Sequence, residues 1–266
     1  MDNNSIYYRD KAVVLIYHNI SNRINNCLSI SPNKFESHLK ELKNKKFNII
    51  KLRQLLDAMA GKSKLPPNAV VITFDDGIKS FYSYAYPILK KYNMPAVNFI
   101  ITSTTESIKS SSNKIQFLTP PEIKEMYKSG LVDIQSHTHD NHNLVYIDPY
   151  LNKKGSLAHR IYDEIKGYES EENYIKRIRY DLKKSREIIY KYIGEYPDVL
   201  SFPFGHFNNR VINISESCGF KYFITINEGV NQENSNSKIV LRIGHTFLNA
   251  DKLIQKIIKV TKNNNT

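Results

Sequence analysis

Hydrophobic positions along the chain fall into two recurring patterns, and these two patterns alternate. Unbroken apolar runs too short for a helix predict buried strands at 11–20, 48–52, 69–74, 95–101, 198–205, 222–227 and 239–245, with another that begins at 132. Stretches with apolar residues three and four positions apart predict helices at 31–47, 53–61, 80–93, 120–130, 171–193 and 251–262. Capping residues support these helices, because Ser31 and Pro32 open the first one and Gly61 and Gly130 close two others.

Alternating strands and helices are typical of parallel strands joined by crossover helices. With 266 residues and no visible repeat or linker, the sequence predicts a single, barrel-like α/β domain. We expect a distorted (β/α) barrel of about seven strands that spans residues 1–266, with a core at roughly 11–260. Polar stretches at 231–238 and 109–114 are predicted to be loops, the second of them mobile.

Several residues with ligating or catalytic chemistry lie at or just after the predicted strand ends. In (β/α) barrels the functional residues gather at the carboxyl ends of the strands, so residues far apart in sequence meet at one mouth. The residues concerned are His18, Asp75, Asp76, His137, Phe204 and His245. We therefore expect most of them to surround one site.

The stretch SHTHDNH at 136–142 is unusually rich in histidine. Neutral imidazole is the commonest protein ligand for zinc and similar metals, and two histidines with one carboxylate are typical of catalytic metal sites. Asp76 could supply that carboxylate. A polar loop with solvated histidines is the alternative interpretation, but the adjacent Asp75 and Asp76 elsewhere in the fold favour a metal site.

The pair Asp75 and Asp76 ends a buried strand and is followed at once by Gly77. One carboxylate can bind a cation that neutralises it. The other can accept a proton from a water molecule that the cation has made more acidic. Gly77 permits a sharp turn at this point, although Asp-Gly is also a common β-turn pair and is not specific by itself.

The combination of motifs resembles a known family. TFDDG at 73–77, the histidines at 137 and 142, and FPFG at 202–205 resemble the NodB-type polysaccharide deacetylases, carbohydrate esterase family 4. The sequence is most similar to the branch that includes the poly-N-acetylglucosamine deacetylases, in which the two metal histidines lie five positions apart. This branch is circularly permuted, so that a histidine-bearing strand comes first, as LIYHNI at 15–20 does here. The resemblance covers roughly residues 11–250.

The resemblance implies a role for each matching residue. Asp75 would be the catalytic base, and His18 would be the acid that protonates the leaving amine. Asp76, His137 and His142 would bind a divalent metal, with zinc as the default and cobalt, nickel or manganese as alternatives. Pro203 and Phe204 would lie at the oxyanion or substrate position, with the Phe204 N–H as oxyanion donor.

The sequence departs from the family pattern at several positions. Ser201 stands where the family has an arginine that braces the base, and Arg242 could replace that arginine or lie at the substrate position. Asn227 and Glu228 stand where the family has an acid followed by an aromatic residue. His139 and Asp140, inside the metal loop, are expected either to support the ligands or to be solvated, and not to bind the metal. His245 is an alternative acid to His18.

Composition adds bounds on partners and location. Lys and Arg exceed Asp and Glu by twelve, which could favour anionic partners such as an anionic membrane. A solvated lysine-rich surface is the preferred explanation, because no basic run exceeds a few residues. Nucleic acid is not expected, because no zinc finger, RNA-binding aromatic motif or basic helix is visible. The polar N-terminus and the absence of a long apolar run predict a cytoplasmic protein. Cys27 and Cys218 are expected to be a reduced pair, with a disulfide still open.

The expected activity is removal of acetyl groups from N-acetylhexosamines in a glycan or in a glycan precursor. Two alternatives remain open from the sequence. One is an enzyme that removes O-acetyl groups or cleaves another C–N bond, and the other is a catalytically silent glycan-binding module.

Overall fold

The short apolar runs of the sequence fold into the strands of one curled sheet. A computed structural model of the protein describes residues 6–23, 28–105, 115–244 and 248–263. The strands within these residues are β1 (Lys11–Tyr17), β2 (Asn19–Ile20), β3 (Ser29–Ile30), β4 (Asn48–Ile49), β5 (Ala69–Phe74), β6 (Ala96–Ile100), β7 (Val132–Ser136), β8 (Leu144–Tyr146), β9 (Lys153–Gly155), β10 (Tyr162–Asp163), β11 (Gly167–Tyr168), β12 (Val199–Ser201), β13 (Tyr222–Ile224), β14 (Asn231–Gln232), β15 (Ile239–Val240) and β16 (Ile243–Gly244).

The main path of the central sheet runs through eight strands in the order β14-β1-β5-β6-β7-β12-β13-β15. Neighbours along the path are parallel, except that β14 pairs antiparallel with β1. Strand β16 adds to β1, and β4 adds to β5. The predicted single-domain, distorted (β/α) barrel is confirmed, with eight strands on the path of a nearly closed sheet where about seven were expected.

Helices connect the parallel strands and cover the outside of the sheet. Within the described residues the α-helices are α1 (Pro32–Asn44), α2 (Leu52–Met59), α3 (Tyr86–Tyr92), α4 (Thr102–Thr105), α5 (Pro120–Lys128), α6 (Glu171–Ile193), α7 (Asn209–Ser217) and α8 (Ala250–Asn263). A π-helical turn, Phe81–Ala85, leads directly into α3, so the helix predicted at 80–93 is formed by these two segments. The predicted start of α1 is confirmed, because the Ser31 side chain accepts a hydrogen bond from the Lys34 N–H and Pro32 takes the first helical position. None of these helices is long and apolar enough to cross a membrane.

Side-chain alternation along the strands directs the site residues into the barrel. On β5, Val70 and Ile72 pack in the cluster that includes residues of helices α1, α3 and α5, whereas Ala69 and Val71 pack in the cluster formed by inward residues of other strands and by α2. Because successive side chains point to opposite faces, Asp75 continues the inward series. Arg242 lies in the short link between β15 and β16, and both Arg242 and Asp75 are buried.

The structure corrects some predicted elements. The strand predicted at 198–205 ends at Ser201, because Pro203, which has no N–H to donate to a ladder, begins a short 3₁₀ turn, Pro203–Gly205. The run 239–245 divides into β15 and β16, and the predicted loop 231–238 contains β14. The segment between His142 and α6, to which the sequence assigned no elements, forms the hairpins β8–β9 and β10–β11.

Three further predictions fall on residues that the structure does not describe, and one falls on a described cysteine. His245, the loop 109–114 and Cys27 lie outside the described residues. Cys218 is buried and carries a free thiol.

Candidate metal and catalytic site

Three predicted ligands meet at the mouth of the barrel. The Nε2 atoms of His137 and His142 lie 3.5 Å and 3.2 Å from Oδ1 of Asp76, and one ligand atom from each residue lies within 4.8 Å of the others. The Oδ1 atom is buried and has no hydrogen-bond donor of suitable geometry among the described residues. A buried carboxylate oxygen that faces two imidazole nitrogens and lacks a donor fits a divalent cation. These residues could therefore hold a metal ion.

The ligand geometry is set by backbone that ordinary residues seldom adopt. Asp76, Thr138 and Phe204 have φ values of 74°, 73° and 58°, although none of them is glycine. Such conformations are costly and cluster at functional sites, where the surrounding structure enforces them. Gly77 also has a positive φ, of 69°, and a Cβ atom there would lie 3.1 Å from a side-chain carbon of Ile100. The turn after β5 therefore requires glycine at that position.

Hydrogen bonding orients the His137 ring toward Asp76. The Nδ1–H of His137 donates to the backbone carbonyl of Ser201 at 2.8 Å, which leaves the lone pair of Nε2 directed at the ligand cluster. The ring of His142 packs between those of His137 and Phe204, at centroid distances of 4.8 Å and 4.7 Å. Burial raises the pKa of Asp76, but the two histidines outweigh it and hold that pKa far below its usual range.

Asp75 forms a buried ion pair with Arg242. The two terminal guanidinium nitrogens donate to the two carboxylate oxygens at 2.8 Å each, and both side chains are almost fully buried. Burial raises the pKa of Asp75, yet the charge of Arg242 outweighs it and lowers that pKa. Arg242 therefore forms a buried, two-pronged ion pair with Asp75, while Ser201 lies nearby with its hydroxyl 3.4 Å from Asp75. The predicted place of Arg242 at the substrate position stays a prediction.

His18 follows β1 on the opposite side of β5 from the histidine-rich loop. Burial lowers the pKa of His18, against the opposing effects of Asp75 and Asp76. Its Nδ1 atom is buried and has no hydrogen-bond partner among the described residues. The ring thus has one ring nitrogen without a partner among the described residues, and it lies within the electrostatic influence of both carboxylates.

The loop that carries the histidines is anchored on helix α6. The carboxylate of Asp181 accepts the backbone N–H groups of His139 and Asp140, at 3.0 Å and 2.6 Å. Arg177, one turn earlier, donates to Oδ1 of Asn141 at 2.7 Å. Sequence reasoning missed both α6 residues. The available signal was a charged residue, Asp181, on the apolar face of an amphipathic helix.

Comparison with known proteins identifies the family. The sequence model described as Polysaccharide deacetylase matches residues 62–223. The chain belongs to the polysaccharide deacetylase family. Among curated proteins, the poly-β-1,6-N-acetyl-D-glucosamine N-deacetylase of Staphylococcus aureus strain MRSA252 is 32% identical over 95% of this chain and 83% of its own length.

Solved structures agree with this membership. The de-N-acetylase from Aggregatibacter actinomycetemcomitans superposes with a TM-score of 0.83 and 30% identity, covering 93% of this chain and all of its own. IcaB from Ammonifex degensii superposes with a TM-score of 0.78 and 25% identity, covering 95% of this chain and 97% of its own. The chain is thus a polysaccharide deacetylase with the NodB-type barrel.

Other predicted positions in this polysaccharide deacetylase are also placed. His139 and Asp140 stand outside the ligand cluster, and Nδ1 of His139 lies 3.0 Å from the hydroxyl of Thr102. Asn227 contributes a backbone carbonyl that accepts the Arg242 N–H at 3.0 Å. Glu228 is half-exposed and pairs with Lys256 at 2.7 Å, so no carboxylate from this segment braces the site.

Proposed function

We propose that the enzyme removes N-acetyl groups from a poly-N-acetylglucosamine-type glycan or its precursor, with Asp76, His137 and His142 as the metal ligands. The observation that carries the proposal is the convergence of these three residues beside a separately braced carboxylate, Asp75. The similarity to proteins named poly-β-1,6-N-acetyl-D-glucosamine N-deacetylase supports the substrate class. Zinc is the proposed ion, because two imidazoles and one carboxylate suit it, and cobalt, nickel or manganese would fit the same donors.

The residues around the proposed ligands have separate roles in amide hydrolysis. A bound divalent ion would lower the pKa of water and polarise the acetyl carbonyl. Asp75 accepts the proton that the attacking water loses, because Arg242 keeps its carboxylate ionised and fixed in place. The N–H of Phe204, in the turn Pro203–Gly205, donates to the oxygen on which negative charge develops.

His18 supplies the remaining proton. The departing nitrogen must gain a proton before the amine can leave; the imidazolium form of His18 donates it and is left as the neutral ring. Because burial disfavours the charged ring, the protonated form of His18 is a stronger acid than a solvated imidazolium. We expect His18→Ala to slow the hydrolysis of amides much more than that of activated esters, since their leaving groups need no proton. Equal losses on both substrate types would contradict this role.

Acetate release from β-1,6-linked N-acetylglucosamine oligomers, with and without a chelator, tests the function. We expect release that chelator abolishes and added zinc restores, and little release from acetylated xylan, which reports O-deacetylation. Asp75→Asn should retain metal but lose about 10²- to 10⁴-fold in turnover, as expected for removal of a general base. His142→Ala should lose both the bound metal and the turnover. Binding of oligomers without acetate release by the metal-loaded wild type would instead indicate a silent glycan-binding module.

The cytoplasmic location, the contact with anionic membranes and the absence of nucleic-acid binding stay predictions from the sequence. Fractionation of cells that express the tagged protein tests the location directly.

A further inference from the structure

His206 directly follows the Phe204 turn (Pro203–Gly205) and has no role in the chemistry described above. Its ring Nδ1 accepts the backbone N–H of Gly155 at 2.9 Å. Gly155 is buried at the end of β9, 51 positions earlier in the chain. The His206 side chain therefore joins the Phe204 turn to the β8–β9 hairpin, which follows the histidine-rich loop.

The backbone of the Phe204 turn needs support from outside. Phe204 has a φ of 58° and Gly205 a φ of 67°, so two successive residues are left-handed and the first is not glycine. The turn closes on itself through the Gly205 N–H, which donates to the Phe202 carbonyl at 2.9 Å. A strained conformation of this kind persists only where the surrounding structure enforces it. Among the described residues, the bond from Gly155 to His206 is the one hydrogen bond that ties a side chain of the segment 203–206 to another part of the chain.

Gly155 packs closely against the rings of the turn. A Cβ atom there would lie 3.1 Å from Nδ1 of His206 and 3.2 Å from Cδ2 of Phe204, so glycine lets the hairpin backbone approach both rings. The Gly155 carbonyl lies 3.1 Å from Nδ1 of His159. Because a carbonyl only accepts and an N–H only donates, neutral His159 carries its proton on Nδ1 and neutral His206 carries it on Nε2. Two histidines of opposite tautomer thus hold the two polar backbone groups of one residue.

The surroundings keep the His206 ring in its accepting form. Burial lowers the pKa of His206, and the charges of His159 and Lys154 lower it further. Both of these groups come from the hairpin side, since Lys154 precedes Gly155 on β9 and His159 follows it. A protonated ring carries an N–H on both nitrogens and cannot accept from Gly155. The lowered pKa therefore preserves the bond to a pH below the ordinary histidine value of about 6.5.

We propose that His206 is a positioning residue for deacetylation, which holds the Phe204 turn against the β8–β9 hairpin and so fixes the Phe204 N–H as an oxyanion donor. The inference rests on the proposed deacetylase function. An oxyanion donor acts on charge that develops only on the way to the transition state. Loss of its position should therefore lower kcat while KM changes little.

Three substitutions of His206 separate the hydrogen bond from the ring. His206→Asn places a carbonyl oxygen where Nδ1 lies and keeps the acceptor, His206→Gln places it nearer to Nε2, and His206→Ala keeps neither. On a β-1,6-linked N-acetylglucosamine pentamer, we expect His206→Ala and His206→Gln to lower kcat about 10- to 100-fold, as for a displaced donor. His206→Asn should stay within about 3-fold of the wild type, and KM should change less than about 2-fold throughout. Asn209→Ala, at an exposed position three residues further on, is the control and should match the wild type.

Further measurements on the same variants exclude indirect effects. Chelator competition should give the wild-type metal affinity for every variant, and thermal unfolding checks that each one folds. Ring ¹⁵N NMR should show that His206 of the wild type is unprotonated at Nδ1 at neutral pH, and it follows the uptake of a proton on acidification. The ratio of kcat for the wild type to kcat for His206→Asn should fall over that pH range, because only the wild type loses its acceptor. A ratio that stays constant there would overturn the role of Nδ1.

The outcomes separate this inference from the proposed function. If the wild type releases no acetate from any oligomer, the proposed function is wrong and the positioning role falls with it. If the wild type is active but His206→Ala keeps its kcat, or His206→Asn loses as much as His206→Ala, only the positioning role is wrong. A raised KM at unchanged kcat, or a loss of metal, would equally overturn it.

Discussion

At the scale of single residues, the buried pair of Asp75 and Arg242 is the most sensitive feature of the site. Arg242 is held on every side: besides Asp75, its Nε donates to the carbonyl of Thr225 at 2.8 Å, and its terminal nitrogens approach the hydroxyls of Thr73 and Ser201 at 3.3 Å. Removing one member of such a pair leaves an uncompensated buried charge. The same arginine thus supports both the fold and the base.

We expect Arg242→Gln to lower the free energy of unfolding by about 3–5 kcal/mol, because Asp75 then stays buried without its partner. Arg242→Lys keeps the charge but loses the two-pronged geometry, so it should destabilise less and still reduce kcat. Urea unfolding and acetate release measure the two effects. Arg53→Lys, in the surface pair with Asp198, is the control and should change stability by less than about 1 kcal/mol. Equal stability changes in the two lysine variants would contradict the bracing role.

The sequence allowed the cluster of Asp76, His137 and His142 to be predicted but left the partner of Asp75 open, and the reason is physical. Asp76, His137 and His142 sit in short motifs whose residue types suit a cation. Arg242 is 167 residues from Asp75, and nothing local to it signals a partner. The pairing follows only from the alternation of side chains along β5 and the strands that close the barrel, which a sequence pattern does not specify by itself.

At the scale of elements, helix α6 holds the loop between His137 and His142 in place. Besides the Asp181 and Arg177 contacts, the hydroxyls of Ser136 and Ser185 lie 2.6 Å apart and fasten β7 to the same helix. Arg177 also donates to Glu169 through two nitrogens and to the carbonyl of Ser156, so it links the loop to the first hairpin. Helix α6 therefore anchors both β7 and the loop between His137 and His142.

We expect Asp181→Ala to weaken metal affinity about 10- to 100-fold, the range typical of lost outer-shell support, because two loop N–H groups lose their acceptor. Asp181→Asn retains one carbonyl acceptor, so its metal affinity should lie between that of Asp181→Ala and that of the wild type. Competition with a chromogenic chelator measures the affinity independently of activity. Glu187→Ala, at an exposed position of the same helix, should bind metal as the wild type does. Unaltered affinity in Asp181→Ala would show that the loop holds its shape alone.

At the scale of the whole molecule, the alternation of apolar runs was enough to predict the barrel but not its closure. The long parallel strands β1 and β5 were found because they are apolar throughout. Strand β14 was missed because it is two polar residues, Asn231 and Gln232, which carry no hydrophobic pattern although they pair with β1. The hairpins before α6 were missed for a related reason, since their strands are short and largely exposed.

His38 connects helix α1 to Leu248, just before α8, and makes stability depend on pH. Its Nε2–H donates to the carbonyl of Leu248 at 3.0 Å, and its Nδ1 lies 3.1 Å from the hydroxyl of Tyr17, so the neutral ring is satisfied on both sides. Burial lowers the pKa of His38 to about 4. Below its ordinary value of about 6.5, the unfolded chain takes up a proton that the folded chain excludes, so stability falls as pH drops from about 6.5 to about 4.

This effect contributes up to about 3 kcal/mol, and it can be separated from that of the ligand histidines. Urea unfolding of the wild type and of His38→Gln at about pH 7.5 and about pH 5 gives the change in stability for each. The ligand histidines contribute to both proteins and cancel in the difference, so the variant should lose less stability on acidification. His159→Gln, which removes a histidine outside the core, should behave as the wild type does. If His38→Gln and the wild type lost the same stability on acidification, His38 would accept a proton in the folded protein as readily as in the unfolded one. The neutral ring with a hydrogen bond on each side would then be wrong.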